Sequence, residues 1–181
     1  NDTLIDGLIL SGPPSYNPLA PGALALTAAL ARVKGSKGHS QLLDKSVTGT
    51  FNNAIDHPRT QFDWLSHNED NVDAYMADPL CGNPFTIQGY HDLLTGMVMM
   101  QSVKSYRCSY PALPVLVMAG EEDPCIGGPE GFNDSVQVLQ KVGYENVHTK
   151  LFEGMRHEIL NETGHMAVYE TVLNTILGQG K

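Results

Sequence analysis

Two stretches of the chain carry residues whose types and separation suit acid–base chemistry. The first, Leu116-Val117-Met118-Ala119-Gly120-Glu121-Glu122-Asp123-Pro124, is an apolar run that closes in a glycine and offers a carboxylate before a proline. This pattern predicts a buried strand that stops and presents Asp123 at its C-terminal edge. The second, Met155-Arg156-His157-Glu158, follows another strand-like run and sets His157 34 residues after Asp123 (157 − 123). One helix and one strand fit into that separation, so an acid and an imidazole are expected to meet above one sheet. That pairing is the acid and base of a hydrolytic triad, in which the carboxylate orients the ring and the ring moves a proton. Each residue alone has a plainer reading: Asp-Pro is a good turn former, and a lone loop histidine is more often structural. Glu121 and Glu122 are rival carboxylates, and only the pairing with His157 raises Asp123 above them.

A nucleophile should precede both residues on a G-x-S-x-G elbow, the strained strand-to-helix turn that exposes a serine Oγ. The sequence contains no such pentapeptide. Gly38-His39-Ser40-Gln41-Leu42 begins like one, but its fifth residue is Leu, and Ala23 to Val33 before it reads as helix. Ser11 ends a strand-like run, yet Gly12-Pro13-Pro14 follows and cannot open the helix that an elbow feeds. Cys125 and Cys81 are nucleophiles in principle, because a thiolate beside an imidazolium is activated. Neither sits on a strand-to-helix turn, and a buried inert thiol is the default for both.

The elements that must position these groups follow from the apolar pattern. Asp6 to Gly12, Pro114 to Ala119 and Val147 to Phe152 read as strands, the first two as uninterrupted apolar runs suited to a sheet covered on both faces. Between the first two lie about a hundred residues of mostly helical pattern. Ala23 to Val33 is Ala- and Leu-rich behind Pro21-Gly22. Asn68 or Asp70 is a candidate cap for a short helix carrying Val72, Tyr75 and Met76. Thr86 is a candidate cap for a longer one with Ile87, Tyr90, Leu94, Met97, Val98 and Gln101 at helical spacing. After Pro114 the order is strand, acidic turn, helix from about Gly131 to Val142 with Gly143 as C-cap, strand, and a final helix over 161–177. Strand and helix in alternation predict a parallel α/β sheet with a helical insertion.

Composition narrows the functional classes. With 181 residues, 41% hydrophobic and 17% charged, the chain reads as globular. A formal net charge of −9 and no basic stripe argue against nucleic acid, whose binding rests on Lys and Arg displacing counterions. The three cysteines, Cys81, Cys108 and Cys125, form no C-x-x-C pair, so neither a disulfide framework nor a zinc ribbon is indicated. A reducing interior, with cytoplasmic localisation, is the resulting expectation. The chain opens Asn1-Asp2-Thr3-Leu4 without a Met.

Taken together, Asp6 to Gly12, Phe62-Asp63-Trp64-Leu65-Ser66, Tyr75 to Gly82, Gly120 to Pro124 and Arg156-His157-Glu158-Ile159-Leu160-Asn161-Glu162 are similar to the C-terminal part of the α/β-hydrolase superfamily. The likeness is to its lysophospholipase or monoacylglycerol-lipase-like group, the serine-aminopeptidase-type hydrolases. It implies an α/β fold in which residues 1–12 hold the first core strand, 13–110 a helical cap over the active site, and 111–181 the C-terminal core with Asp123 as triad acid and His157 as base. It also implies a nucleophilic serine and oxyanion hole N-terminal to Asn1, so that the 181-residue chain alone is expected to be inactive. Cys125 stands where relatives usually have a small aliphatic residue. The implied substrate is a small lipid or ester, and the triad needs no metal or organic cofactor. The missing N-terminal half of the fold is an expected partner, with weak membrane-surface contact through the cap and homo-oligomer formation left open. The alternative is a non-catalytic α/β binding or partner module that keeps the hydrolase outline. Met97, Met99, Met100, Leu93 and Leu94 offer either an adaptable wall for an acyl chain or, as helical spacing favours, ordinary core packing.

Overall fold

The computed structural model describes residues 2–178. Three strands, β1 (Leu8–Ser11), β2 (Val115–Gly120) and β3 (Val147–Phe152), form one parallel sheet in the order β1-β2-β3. Leu8 pairs with Val115, and Val115 in turn with Val147, so the three strands start level. Every residue of β2 is buried, which explains its unbroken apolar sequence: a central parallel strand is covered on both faces. Alternation along β2 divides the core. Val115, Val117 and Ala119 join Leu113, Ile126, Phe132 and Val136 on one face, while Leu116 and Met118 join Phe152, Met155, Ile159 and Val168 on the other.

Helices α1 (Ala20–Lys34), α2 (Gln41–Leu43, a single turn), α3 (Glu69–Ala77) and α4 (Ile87–Met100) lie between β1 and β2. α1 starts three residues ahead of the apolar run, with Pro21 in its first turn, where a missing N–H costs nothing. Thr86 caps α4 as its position suggests, its hydroxyl accepting the Gly89 N–H at 3.1 Å. Asn68 precedes α3 but makes no side-chain cap; its amide instead donates to the Asn161 carbonyl at 3.0 Å, reaching across to the C-terminal region. α1 packs on α4, and Leu43, Ile87 and Tyr90 form a small core of their own with Leu30, Ala31 and Val47.

α5 (Gly128–Val142) connects β2 to β3 and ends at Gly143, whose φ of 119° is open to glycine at little cost. α6 (His165–Ile176) is shorter at its start than the apolar spacing predicts, because Ile159–Asn161 forms a 3₁₀ turn instead. Among the described residues no helix is long and apolar enough to cross a membrane.

Candidate active site

Asp123 and His157 emerge from adjacent strands at their C-terminal ends, where open α/β sheets present functional groups. β2 stops at Gly120, and Asp123 opens a short 3₁₀ turn, Pro124–Ile126. β3 stops at Phe152, and the loop 153–157 folds back over β2: the Glu121 N–H donates to the Phe152 carbonyl at 2.9 Å and the Glu122 N–H to the Met155 carbonyl at 3.0 Å. This return requires a glycine at 120, since a Cβ there would overlap the carbonyl groups of Met155 and Arg156.

The two side chains meet. His157 Nδ1 lies 2.9 Å from Asp123 Oδ2, with the aspartate side chain fully buried (0%) and that of the histidine 32% exposed. A carboxylate only accepts, so Nδ1 carries the proton and donates it, leaving the Nε2 lone pair free. The other carboxylate oxygen, Oδ1, accepts the Cys125 N–H at 2.8 Å. Asp123 is thus a turn former and a histidine partner at once, one oxygen for each role. Burial works against the charged ring, but the hydrogen bond and negative charge of Asp123, aided by the charge of Glu158, outweigh it and lift the His157 pKa above its ordinary value.

Two further residues shape the space around the imidazole. Gly12, just past β1, has φ +59°, and a Cβ there would stand 3.1 Å from His157 Cε1 and 3.3 Å from Asp123 Oδ2. Trp64, from the helical segment, packs on the ring with centroids 5.1 Å apart at 43°, and is itself backed by Phe51 at 5.0 Å. The stretch carrying Trp64 is anchored: Arg156 Nη1 donates to the carbonyls of Asp63 and Ser66 at 2.7 and 3.3 Å, and the Glu158 N–H donates to the Leu65 carbonyl at 2.8 Å. Asp63 is itself buried, its carboxylate accepting from Thr60 and from the Arg59 N–H.

The rival carboxylates are sorted by position. Glu121 is exposed, and Glu122 Oε2 lies 2.8 Å from His67 Nε2, bridging to the helical segment. Ser40 is buried at the start of α2, behind helix α1 rather than a strand, and Ser11 is the exposed last residue of β1. Cys81 lies on the turn that follows α3. Cys125 is the one cysteine near the pair. Its thiol, with Asp123 and His157, supplies three potential metal-binding atoms within 4.8 Å of one another. Each Asp123 oxygen already accepts one hydrogen bond, from the Cys125 N–H and from His157 Nδ1. Burial and the Asp123 charge push the Cys125 thiol far above its usual range, which keeps it protonated and poorly nucleophilic.

Gly12 and the buried Glu162, whose carboxylate accepts N–H groups of His67, Asn68 and Arg156, carry no local signal in the sequence, since most of their neighbours lie at long sequence separation. Each nevertheless lies inside a stretch that carries the family likeness.

The model of a family described as "Serine aminopeptidase, S33" matches residues 1–164. No curated protein matches the chain significantly in sequence. Among solved structures, a highly thermostable carboxyl esterase from Bacillus coagulans is 24% identical with a TM-score of 0.84, over 98% of this chain and 58% of that one. A monoacylglycerol lipase from Paleococcus ferrophilus is 18% identical with a TM-score of 0.60, over 98% and 62%. A soluble variant of the Saccharomyces cerevisiae monoglyceride lipase is 17% identical with a TM-score of 0.64, over 97% and 56%. These likenesses are of fold, and the chain spans 58% of the first of these structures. With three parallel strands, flanking helices and a family match over most of its length, the chain belongs to the serine aminopeptidase S33 family of α/β hydrolases.

Proposed function

We propose that this chain is the C-terminal part of a serine ester hydrolase, with Asp123 and His157 as the acid and base of its triad. The observation that carries the reading is the 2.9 Å hydrogen bond between His157 Nδ1 and the buried Asp123 carboxylate. In this mechanism a serine Oγ attacks the ester carbonyl as Nε2 of His157 takes its proton; the proton then passes to the departing alcohol as the C–O bond breaks. Water, deprotonated by the same nitrogen, attacks the acyl-enzyme and releases the acid, restoring the serine. Asp123 keeps the ring in the productive tautomer and stabilises its cation throughout.

The serine and the oxyanion donors are assigned to a segment preceding Asn1 in the intact gene product. Three observations support this: the sequence has no G-x-S-x-G, the chain spans 58% of the Bacillus coagulans esterase structure, and among the described residues one edge of β1 has no partner strand. A further apolar face, Met166, Leu173 and Ile176 of α6, is more than half exposed and suits coverage by that segment.

Residues 13–110 act as the cap in this reading, with Trp64 reaching down onto the base. The substrate class is a small acylglycerol-like or lysophospholipid-like ester.

Hydrolysis of a short p-nitrophenyl ester tests the proposal. The intact gene product turns it over and loses turnover with His157→Ala, while the 181-residue chain alone does not hydrolyse it. Robust, His157-dependent turnover by the 181-residue chain would refute the external serine. Failure of the intact protein to label with a fluorophosphonate probe would favour a non-catalytic partner module instead.

A further inference from the structure

We propose that Glu162 is a positioning residue for His157, an inference that rests on the acid–base roles assigned above. Glu162 is 1% exposed, an unusual place for a carboxylate. Its Oε1 accepts the Arg156 N–H and the His67 N–H, each at 2.9 Å, and its Oε2 accepts the Asn68 N–H at 3.2 Å. Arg156 is the residue immediately before His157. His67 and Asn68 follow Trp64-Leu65-Ser66, the stretch whose indole packs on the imidazole.

One buried carboxylate therefore ties together the peptide that carries the base and the segment that covers it. Hydrogen bonds to an ionised acceptor are roughly twice as strong as neutral ones. Parallel ties join the same segments: the Arg156 guanidinium donates to the Asp63 and Ser66 carbonyls, also with charge assistance, and the Glu158 N–H donates to the Leu65 carbonyl as a neutral bond. Glu162 is the ionic acceptor shared by both segments. Without it, the ring retains Asp123 as a partner but loses the support that sets the position of its backbone. A misplacement of about 1 Å in a catalytic group costs roughly 10²-fold in rate.

The test uses the intact gene product with Glu162→Gln and Glu162→Asp. Glutamine keeps the shape but aims an NH₂ group where one or two N–H donors need oxygen: Asn68 if it replaces Oε2, Arg156 and His67 if it replaces Oε1. Glu162→Gln is expected to lower kcat by about 10- to 100-fold with KM within about twofold, to move the pH–rate midpoint, and to speed exchange of the His157 Nδ1 proton seen by NMR. Glu162→Asp, which keeps the charge, recovers part of the loss. Wild-type kcat, pH midpoint and Nδ1 proton in Glu162→Gln overturn the inference while leaving the triad assignment standing. Retained activity in His157→Ala overturns that assignment, and is read separately. Should neither Glu162 variant fold, amide exchange in the wild-type protein decides: His67, Asn68 and Arg156 exchanging as one unit support the tie, and independent exchange refutes it.

Discussion

Gly12 stands so close to His157 that a methyl group in its place would lie 3.1 Å from the ring's Cε1 and 3.2 Å from Nδ1. The end of β1 therefore forms part of the floor under the Asp123–His157 pair, with its left-handed φ of +59° turning the chain away from them. Gly12→Ala should meet two penalties. The backbone conformation costs about 1–2 kcal/mol for a residue with a Cβ, and the ring must shift by a few tenths of an ångström. A lower unfolding midpoint in urea, together with at least a tenfold fall in kcat/KM of the intact protein, is the expected result.

Asp123→Asn removes the charge while preserving the side-chain shape. The amide can present its NH₂ to Nδ1 and so stabilise the wrong tautomer, with a loss of about 10⁴-fold in kcat. Steady-state kinetics on the intact gene product measure this, and a loss smaller than tenfold would contradict the assigned role.

The pH dependence follows from the raised His157 pKa. Hydrolysis requires the neutral ring, so the rate should rise with pH through a midpoint above the reference value of 6.5. Asp123→Asn should drop that midpoint to 6.5 or below, because burial, which disfavours the cation, remains. Stability runs the other way. A pKa raised by folding contributes stability that is complete below about 6.5 and is lost as pH rises through the folded-state value. Histidine NMR titration of wild type and variant checks both signs.

Trp64→Ala should act on the site and on stability together. Aromatic contact contributes about 0.5–1.5 kcal/mol beyond area burial, and Trp64 touches both Phe51 and His157. A loss of about 3 kcal/mol in chemical denaturation is expected for deleting so large a side chain, with higher solvent access to His157 seen as faster proton exchange.

Cys125→Ala, alone or with Cys81→Ala, should leave esterase activity within about twofold, since a thiol held protonated beside Asp123 is a poor nucleophile. Complete loss of turnover in the double variant, with folding intact by circular dichroism, would point to a cysteine hydrolase.

By itself the sequence determined the elements and their chain order. The run Val115 to Gly120 is apolar at every position up to its closing glycine because both faces of the strand are covered, and Thr86 three residues before Gly89 is a cap that depends on nothing distant. The sequence also presented three successive acids, Glu121, Glu122 and Asp123, and favoured Asp123 only through its expected pairing with His157; the tertiary structure shows where each of the three goes. The loop after β3 brings His157 to Asp123, the helical segment brings His67 to Glu122, and Glu121 is left in solvent. Glu162 and Gly12 belong to the same class: their partners lie 95 residues away in the case of His67, and on a different strand end in the case of Gly12. Periodicity and capping are local, set by neighbours within a turn or a pleat. Which carboxylate faces which ring depends on how separate segments close over the strand ends, and that is settled only when the sheet and the helical segment pack together.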